Sequence, residues 1–319
     1  MINQLEFGIQ TNGIKHTHLD PMPEIDTRFS MVKEENLFDY VDKTPDLNEV
    51  NSFLKASKKY QIPIKAGGWF YTIGDHKGLL TQKLKTAQNL GSTIHNTQIQ
   101  ALNSVGKLVS NIDVRDTYLE AYDIGMKLGV TPCFEIHVNM WSEDFSRVID
   151  VGKLVEEKGI EFNITLDHSH VIFKINNPKE QKIYNTDEQI VAGNLILDPY
   201  IKGNVVEEWI NLGWVKHCHA RSVIPNNPLN INGKYSDGKL GRGIQYPFKK
   251  PKKDEYHELW EEKLLDPWKE CIKQLRINPP TVKTGDWKKV TSALLTNAEI
   301  TEPAEGTSTK DILNNYLED

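Results

Sequence analysis

Apolar runs rich in β-forming residues alternate along this chain with segments whose apolar positions recur every three or four residues. Residues 5–10, 37–41, 62–66 and 92–100 read as strands, and Leu47, Val50, Phe53 and Leu54 fall at helical spacing over 47–60 behind a capping candidate at Asp46. Farther on, 114–128 reads as a helix capped by Asp113 and stopped at Gly129. Residues 131–138 read as a strand, and 143–158 as a helix with a cap at Ser142 and a stop at Gly159. A strand over 161–166 follows, then a polar stretch over 176–187, short helices over 188–195 and 205–212, and a strand over 214–218. The pattern ends with a helix near 264–275 and a strand over 290–300.

This rhythm predicts a parallel sheet with crossover helices, an α/β fold that a closed (β/α)8 TIM barrel satisfies best. A doubly wound open sheet would carry a glycine-rich phosphate turn after its first strand, and Gly8 and Gly13 are too far apart for one. At 319 residues the chain fits one barrel domain spanning 1–319. Residues 225–256 break the rhythm with an excess of Asn, Pro, Gly and Lys, which predicts an irregular, lid-like insertion over the active rim near the C-terminal part. Within it Arg242, flanked by Gly241 and Gly243, is either aimed at a substrate oxygen or carboxylate or is a solvated arginine in a glycine turn.

Composition narrows the class. Charged residues at 26% and hydrophobic ones at 38% suit a soluble globular protein with a sizeable core. A formal charge of -6 argues against a duplex nucleic-acid partner, and Lys249, Lys250, Lys252 and Lys253 read as a solvated loop. The three cysteines, Cys133, Cys218 and Cys271, are scattered and read as reduced, buried thiols. The first residues lack a basic region and a cleavage site, and no apolar run approaches the roughly 20 residues needed to cross a bilayer; a cytoplasmic protein without a membrane partner is expected.

Three short segments carry the chemistry: FEIH at 134–137, LDHSH at 166–170 and KHCH at 216–219. Each sets carboxylates or imidazoles behind a β run, at intervals of about one strand plus one helix, so each can end on the same barrel rim. Glu135 and His137 share a strand face with Ile136 opposite; Glu135 is assigned to the site and His137 is left as its neighbour. Asp167 and His170, three apart, can converge on one centre, while His168 packs or orients. In KHCH the preferred ligand is His219, with His217 one pleat deeper fixing its orientation and Arg221 reaching toward a substrate hydroxyl or carboxylate. Cys218 faces away and no CxxC pair exists, which excludes a zinc-finger site. Taken singly, each of these residues is an ordinary hydrogen-bonded rim group. Together, two buried carboxylates and two imidazoles are costly without a cation, and a divalent ion resolves the conflict.

On Glu135 in FEIH, on Asp167 and His170 as a D-x-x-H pattern, and on His219 in an H-x-H segment, the chain resembles the xylose-isomerase-like barrel superfamily of sugar isomerases, epimerases and related lyases, which includes endonuclease IV. The strand order over roughly residues 5–220 agrees with it. The resemblance implies Glu135, Asp167, His219 and a glutamate of the last strand as metal ligands, with His170 beside the metal or substrate. Glu299 is the best candidate for the last ligand, and Asp286 and Glu302 are alternatives. It implies proton transfer next to a carbonyl of a keto sugar or sugar acid, with Glu135 and Glu299 as acid and base. His170 and Arg221 would hold substrate oxygens, and Trp69, His16 and the lid would exclude water. Mixed oxygen and nitrogen ligands suit Mn²⁺, Co²⁺, Mg²⁺ or Zn²⁺.

Three other readings stand beside isomerase or epimerase. A decarboxylase or dehydratase of a keto sugar acid would use Arg221 and Arg242 on the carboxylate. A non-catalytic sugar-binding barrel follows if Glu299 lies far from the ion. An endonuclease IV-like nuclease would draw on His76 and His95, against the acidic net charge. The tryptophan-glycine-glycine-arginine-glutamate signature of true xylose isomerases is absent, and GGWF at 67–70 only superficially matches it. Barrels of this group often pair as homo-oligomers, though no exposed apolar stripe in the sequence demands it.

Overall fold

The structure, a computed structural model, describes residues 6–11, 22–225, 230–234, 240–241, 246, 250, 260–277 and 289–292. Strands and helices alternate as expected: β1 (Glu6–Gln10), α1 (Ile25–Glu35), β2 (Tyr40–Asp42), α2 (Val50–Tyr60), β3 (Ile64–Tyr71), α3 (His76–Leu90), β4 (Ile94–Ile99), α4 (Asn111–Leu128), β5 (Thr131–Ile136), α5 (Phe145–Glu156) and β6 (Ile164–Asp167). Three short helices follow, α6 (Ser169–Ile172), α7 (Pro178–Gln181) and α8 (Thr186–Val191), and then α9 (Val205–Asn211) and β7 (Val215–His219). The chain continues through β8 (Asn230–Lys234), β9 (Leu240–Gly241), α10 (Asp266–Ile277) and β10 (Lys289–Ser292). The strands close into a parallel barrel in the order β1-β10-β7-β6-β5-β4-β3-β2, while β8 and β9 form a separate antiparallel pair. No helix among the described residues is long and apolar enough to cross a membrane.

Alternation along the strands sorts the side chains. Phe134, Ile136, Ile164, Leu166, Val215 and Cys218 are buried in the large cluster shared with the surrounding helices. The other face of the strands points inward. There Tyr40, Ala66, Ile94 and Cys133 make a small apolar plug, and two residues farther along β2, β4 and β5 stand Asp42, Asn96 and Glu135. A period of two thus carries each of these strands from an apolar floor to a polar rim. Register extends the ring, because Glu135 lies beside Thr165, Thr165 beside His217, and Asp167 beside His219. The floor leaves no room at β1: a Cβ on Gly8 would lie 2.2 Å from the Tyr40 ring.

Several boundaries differ from expectation. α1 and α3 are not anticipated by the pattern, because only Phe29 and Val32 are buried apolar residues of α1 and because α3 carries Gly78 near its start. The cap of α4 is Ser110 rather than Asp113. Asp113 is its reciprocal partner, receiving the Ser110 N–H at 2.9 Å and returning its own N–H to the Ser110 hydroxyl at 3.1 Å. Gly129 ends the helix in the left-handed region at φ 70. The N-cap of α5 is Asp144, not Ser142, whose hydroxyl is engaged with the backbone of β5 instead. The polar stretch 176–187 holds α7, and the described residues of 225–256, where an irregular insertion is expected, include the β8–β9 pair. All three cysteines are free and buried, as expected.

Candidate metal centre

The polar ends of the inward strand faces meet at the carboxyl rim. Glu135 Oε1 lies 2.9 Å from His219 Nδ1, and Glu135 Oε2 accepts a hydrogen bond from Asn96 Nδ2 at 2.7 Å. Asp167 Oδ2 lies 3.3 Å from His170 Nε2 and 3.6 Å from Arg221 Nε, while its other oxygen accepts from the Ser169 N–H at 3.1 Å and from the Ser169 hydroxyl. On the opposite side Asp42 Oδ2 is 3.4 Å from Nε2 of both His217 and His219, and the Gln10 amide lies 3.0 Å from His219 Nε2. One ligand atom from each of Glu135, Asp167 and His219 falls within 4.8 Å of the others. The same holds for Asp42, His217 and His219 and for Glu135, His137 and His170.

Burial makes the charges interdependent. Glu135 is 1% exposed and Asp167 0%. Burial alone would raise both carboxyls, yet His219 draws Glu135 down to about 2, and His170 and Arg221 hold Asp167 well below the usual carboxylate range. Burial opposes a charged His219 as well, but Glu135 and Asp42 raise it to about 10. His137 is pushed down to about 4 by burial and by the neighbouring His170. The ring therefore holds ionised carboxylates close together, and Asp167 Oδ2 makes no hydrogen bond despite being buried. Two carboxylate oxygens and an imidazole nitrogen, one oxygen without a hydrogen-bond donor, are a donor set that fits a divalent cation.

Local structure explains how these side chains are held. Just beyond β5, the Ser142 hydroxyl donates to the Glu135 carbonyl at 2.5 Å and accepts the His137 N–H at 3.1 Å. Asn139 takes a left-handed φ of 66, and its N–H bonds Glu143 Oε2 at 2.6 Å. Glu143 in turn meets Lys174 Nζ at 3.0 Å, with both side chains buried, which ties the loop after β5 to the chain after β6.

Of the residues expected at the site, Glu135, Asp167, His170, His219 and Arg221 converge, and His217 stands below His219 with its Nδ1 3.2 Å from Thr165 Oγ1. His168 is buried beside Cys218 Sγ at 3.7 Å and packs toward Trp268, which agrees with a packing role. Trp69 on β3 has the Lys83 ammonium 3.0 Å from its ring centroid. Glu299, Asp286, Glu302, His16 and Arg242 lie outside the described residues. His76 pairs with Glu120 between α3 and α4, and His95 faces the Tyr71 hydroxyl at 2.7 Å; neither joins a metal-capable group among the described residues. The sequence reading passes over Asp42, Asn96 and Gln10 and leaves His137 outside the ligand set. The signal for Asp42 is present in the sequence, since YVD at 40–42 repeats the motif of a carboxylate closing a β run that marks Asp167.

No protein-family model matches the chain, and a search of curated proteins finds no match. Solved structures do match over nearly its whole length. The probable 3-DHS dehydratase AsbF of Bacillus anthracis is 13% identical, with 98% of each chain covered and a TM-score of 0.55. A D-allulose 3-epimerase from Methylomonas sp. is 10% identical, covering 99% of this chain and 90% of its own, with a TM-score of 0.53. IOLI, solved with a bound zinc atom, is 13% identical over 98% of this chain and 99% of its own, with a TM-score of 0.52. A xylose isomerase domain protein from Planctomyces limnophilus also matches, and the chain shares the barrel fold of these structures.

Proposed function

We propose that this protein is a divalent-metal-dependent sugar isomerase or epimerase that moves a proton at a carbon next to the carbonyl of a keto sugar or sugar acid. The observation that carries the reading is the convergence of Glu135, Asp167 and His219 from three consecutive barrel strands into one buried donor set. The epimerase and zinc-bearing IOLI among the structural neighbours support it. These three residues would hold the ion, with Glu299 as the proposed fourth ligand. When bound, the ion would polarise a substrate carbonyl and an adjacent hydroxyl, favouring loss of the neighbouring proton.

The chain's own residues would do the rest. Glu135 would accept the proton, and Glu299 is proposed to return one to the same or the adjacent carbon. Arg221, fixed against Asp167, presents a cation to a substrate hydroxyl or carboxylate. His170 would hold a second substrate oxygen, and Trp69, His16 and the expected lid are proposed to exclude water.

A second reading, a dehydratase or decarboxylase of a keto sugar acid, shares the proton abstraction and loses water or CO₂ afterwards. Arg221 as a carboxylate partner and the AsbF neighbour favour it. Incubation with Mn²⁺ and a panel of ketoses and keto acids in D₂O separates the two. Deuterium at the carbon next to the carbonyl with product of the same formula supports the first, and released CO₂ or water the second. No exchange and no product with any substrate would leave a sugar-binding barrel. Glu135→Gln and His219→Ala should each reduce bound metal, and full occupancy in both would remove the ligand assignment.

A further inference from the structure

We propose that Arg28, Lys43 and Lys83 form an anion site that takes a phosphate group, outside the ring of metal-facing residues at the carboxyl ends of β1, β2 and β3. Asp42 and Lys43 are consecutive at the end of β2, so their side chains leave the chain on opposite faces. Asp42 meets His219, whereas Lys43 Nζ lies 6.0 Å from the centroid of the Trp69 ring. Lys83 of α3 stands over the same ring at 3.0 Å, so two ammonium groups share one indole. From the other side Arg28 of α1 reaches the end of β1, where its Nη1 donates to Thr11 Oγ1 at 3.3 Å. Arg28 and Lys83 are both close enough to Lys43 to repel its ammonium. The Thr44 hydroxyl, next in the chain, is buried without a hydrogen-bond partner. A Cβ on Gly67 would lie 2.3 Å from it, which sets the hydroxyl against the face of β3 that carries Trp69 two residues on.

The inner side of this cluster holds cations without counter-ions. Arg28 is 6% exposed, yet no carboxylate among the described residues lies within 4.0 Å of it. Its contacts are Thr11, the Met22 sulfur at 3.1 Å, a weak acceptor, and the Phe53 ring, and its Nε makes no hydrogen bond. Lys43 makes no hydrogen bond or ion pair among the described residues. Burial lowers its pKa, and Arg28 and Lys83 add to this against Glu49 and Asp46. The nearby carboxylates stand on the outer side. Asp46 pairs with Lys83 at 3.3 Å but is 64% exposed, Glu49 is turned onto the Asp46 N–H at 3.4 Å, and Glu24 is exposed at the start of α1. Solvent screens these groups, and the buried side is left with donors alone. Two ammoniums, a guanidinium and a hydroxyl converging from three chain segments suit a tetrahedral dianion, whose several oxygens accept from different directions.

The test is phosphate binding by the full chain freed of metal with a chelator, so that no ion at the metal centre contributes. Equilibrium dialysis against radiolabelled inorganic phosphate at low ionic strength should find one phosphate per chain. Lys43→Gln and Lys83→Met should each weaken it about 10-fold or more, and Lys85→Gln, exposed on α3, should leave it unchanged. Phosphate should also raise the melting temperature of the wild type and not that of Lys43→Gln, a shift that compares each variant with itself. No bound phosphate in the wild type, binding equal in all three variants, or equal melting shifts in the wild type and Lys43→Gln would overturn the site. Each of these results would leave the metal-dependent reading untouched. Competition names the source of the phosphate. A ketose phosphate that displaces the label more tightly than inorganic phosphate assigns the site to a substrate's phosphate, and equal or weaker displacement assigns it to the free anion; both support the site.

Discussion

Lys174→Met should destabilise the protein by about 3–5 kcal/mol, the range for breaking a buried ion pair from one side. Lys174 Nζ lies 3.0 Å from Glu143 Oε1 and 3.1 Å from the Glu180 carbonyl, with the side chains of Lys174 and Glu143 0% and 2% exposed. At 3.0 Å and an effective dielectric constant near 20, the attraction amounts to roughly 5 kcal/mol, enough to offset much of the cost of burying both charges. Removing the ammonium alone leaves that cost on Glu143. Replacing both partners, Glu143→Gln with Lys174→Met, removes most of the cost along with the attraction, so the double variant should be markedly more stable than the two single losses summed. Guanidinium unfolding of metal-free protein followed by circular dichroism measures this, with an unchanged m-value as the condition for comparing midpoints. A loss below about 1 kcal/mol in Lys174→Met, or strict additivity in the double variant, would refute the account. Glu143 also holds the Asn139 N–H three residues after β5, so the same variant should loosen metal binding.

Asp42→Asn should weaken metal binding about 10- to 100-fold, because the carboxylate at 3.4 Å orients His219 from behind; competition with a chelator measures it, and unchanged affinity would exclude that role. In the metal-free protein His219 is raised to about 10, so at pH 8 it carries a proton that an incoming ion must displace. Calorimetric titration at pH 8 in buffers of different ionisation enthalpy should report about one proton released as the ion binds, and a buffer-independent enthalpy would contradict it. The raised histidine stabilises the metal-free fold fully below its ordinary value near 6.5 and loses that contribution as pH climbs through 10. Glu135, drawn down to about 2, contributes above about 4.5 and loses it on acidification, so melting temperatures should fall outside this window on both sides. Gly152→Ala should cost about 1–3 kcal/mol, since a Cβ there would lie 2.3 Å from the buried Trp214 ring, and an unchanged melting temperature would show that α5 can shift away without loss.

The barrel is legible in the sequence because parallel strands buried on both sides leave continuous β runs, and the helices between them repeat at their own period. Glu135, Asp167 and His219 are legible for the same reason, since each closes such a run. What escapes is whatever depends on register and closure. Asp42 and His219 stand 177 positions apart in the chain, yet the barrel brings them to 3.4 Å, and nothing local to YVD announces a histidine across the ring. His137 is read as a neighbour because regular strand geometry does not reveal that His170 returns beside it through the turn after β6. The Ser142 and Asp113 capping readings fail through competition, because a hydroxyl or carboxylate at a helix start binds whichever backbone N–H the tertiary fold presents.

The barrel is closed by β10, which pairs with β1 on one side and β7 on the other and lies some 70 residues beyond His219. At synthesis rates of about 5–20 residues per second, roughly 4–14 s separate the emergence of His219 from that of its last neighbour. Through that interval β7 is an open sheet edge, with unpaired backbone groups of the kind that invite intermolecular pairing. Glu135, Asp167 and His219 are already present on three adjoining strands by then. A cation captured at that stage would act as a cotranslational clasp, holding β5, β6 and β7 in register and guarding the exposed edge until the last strand arrives.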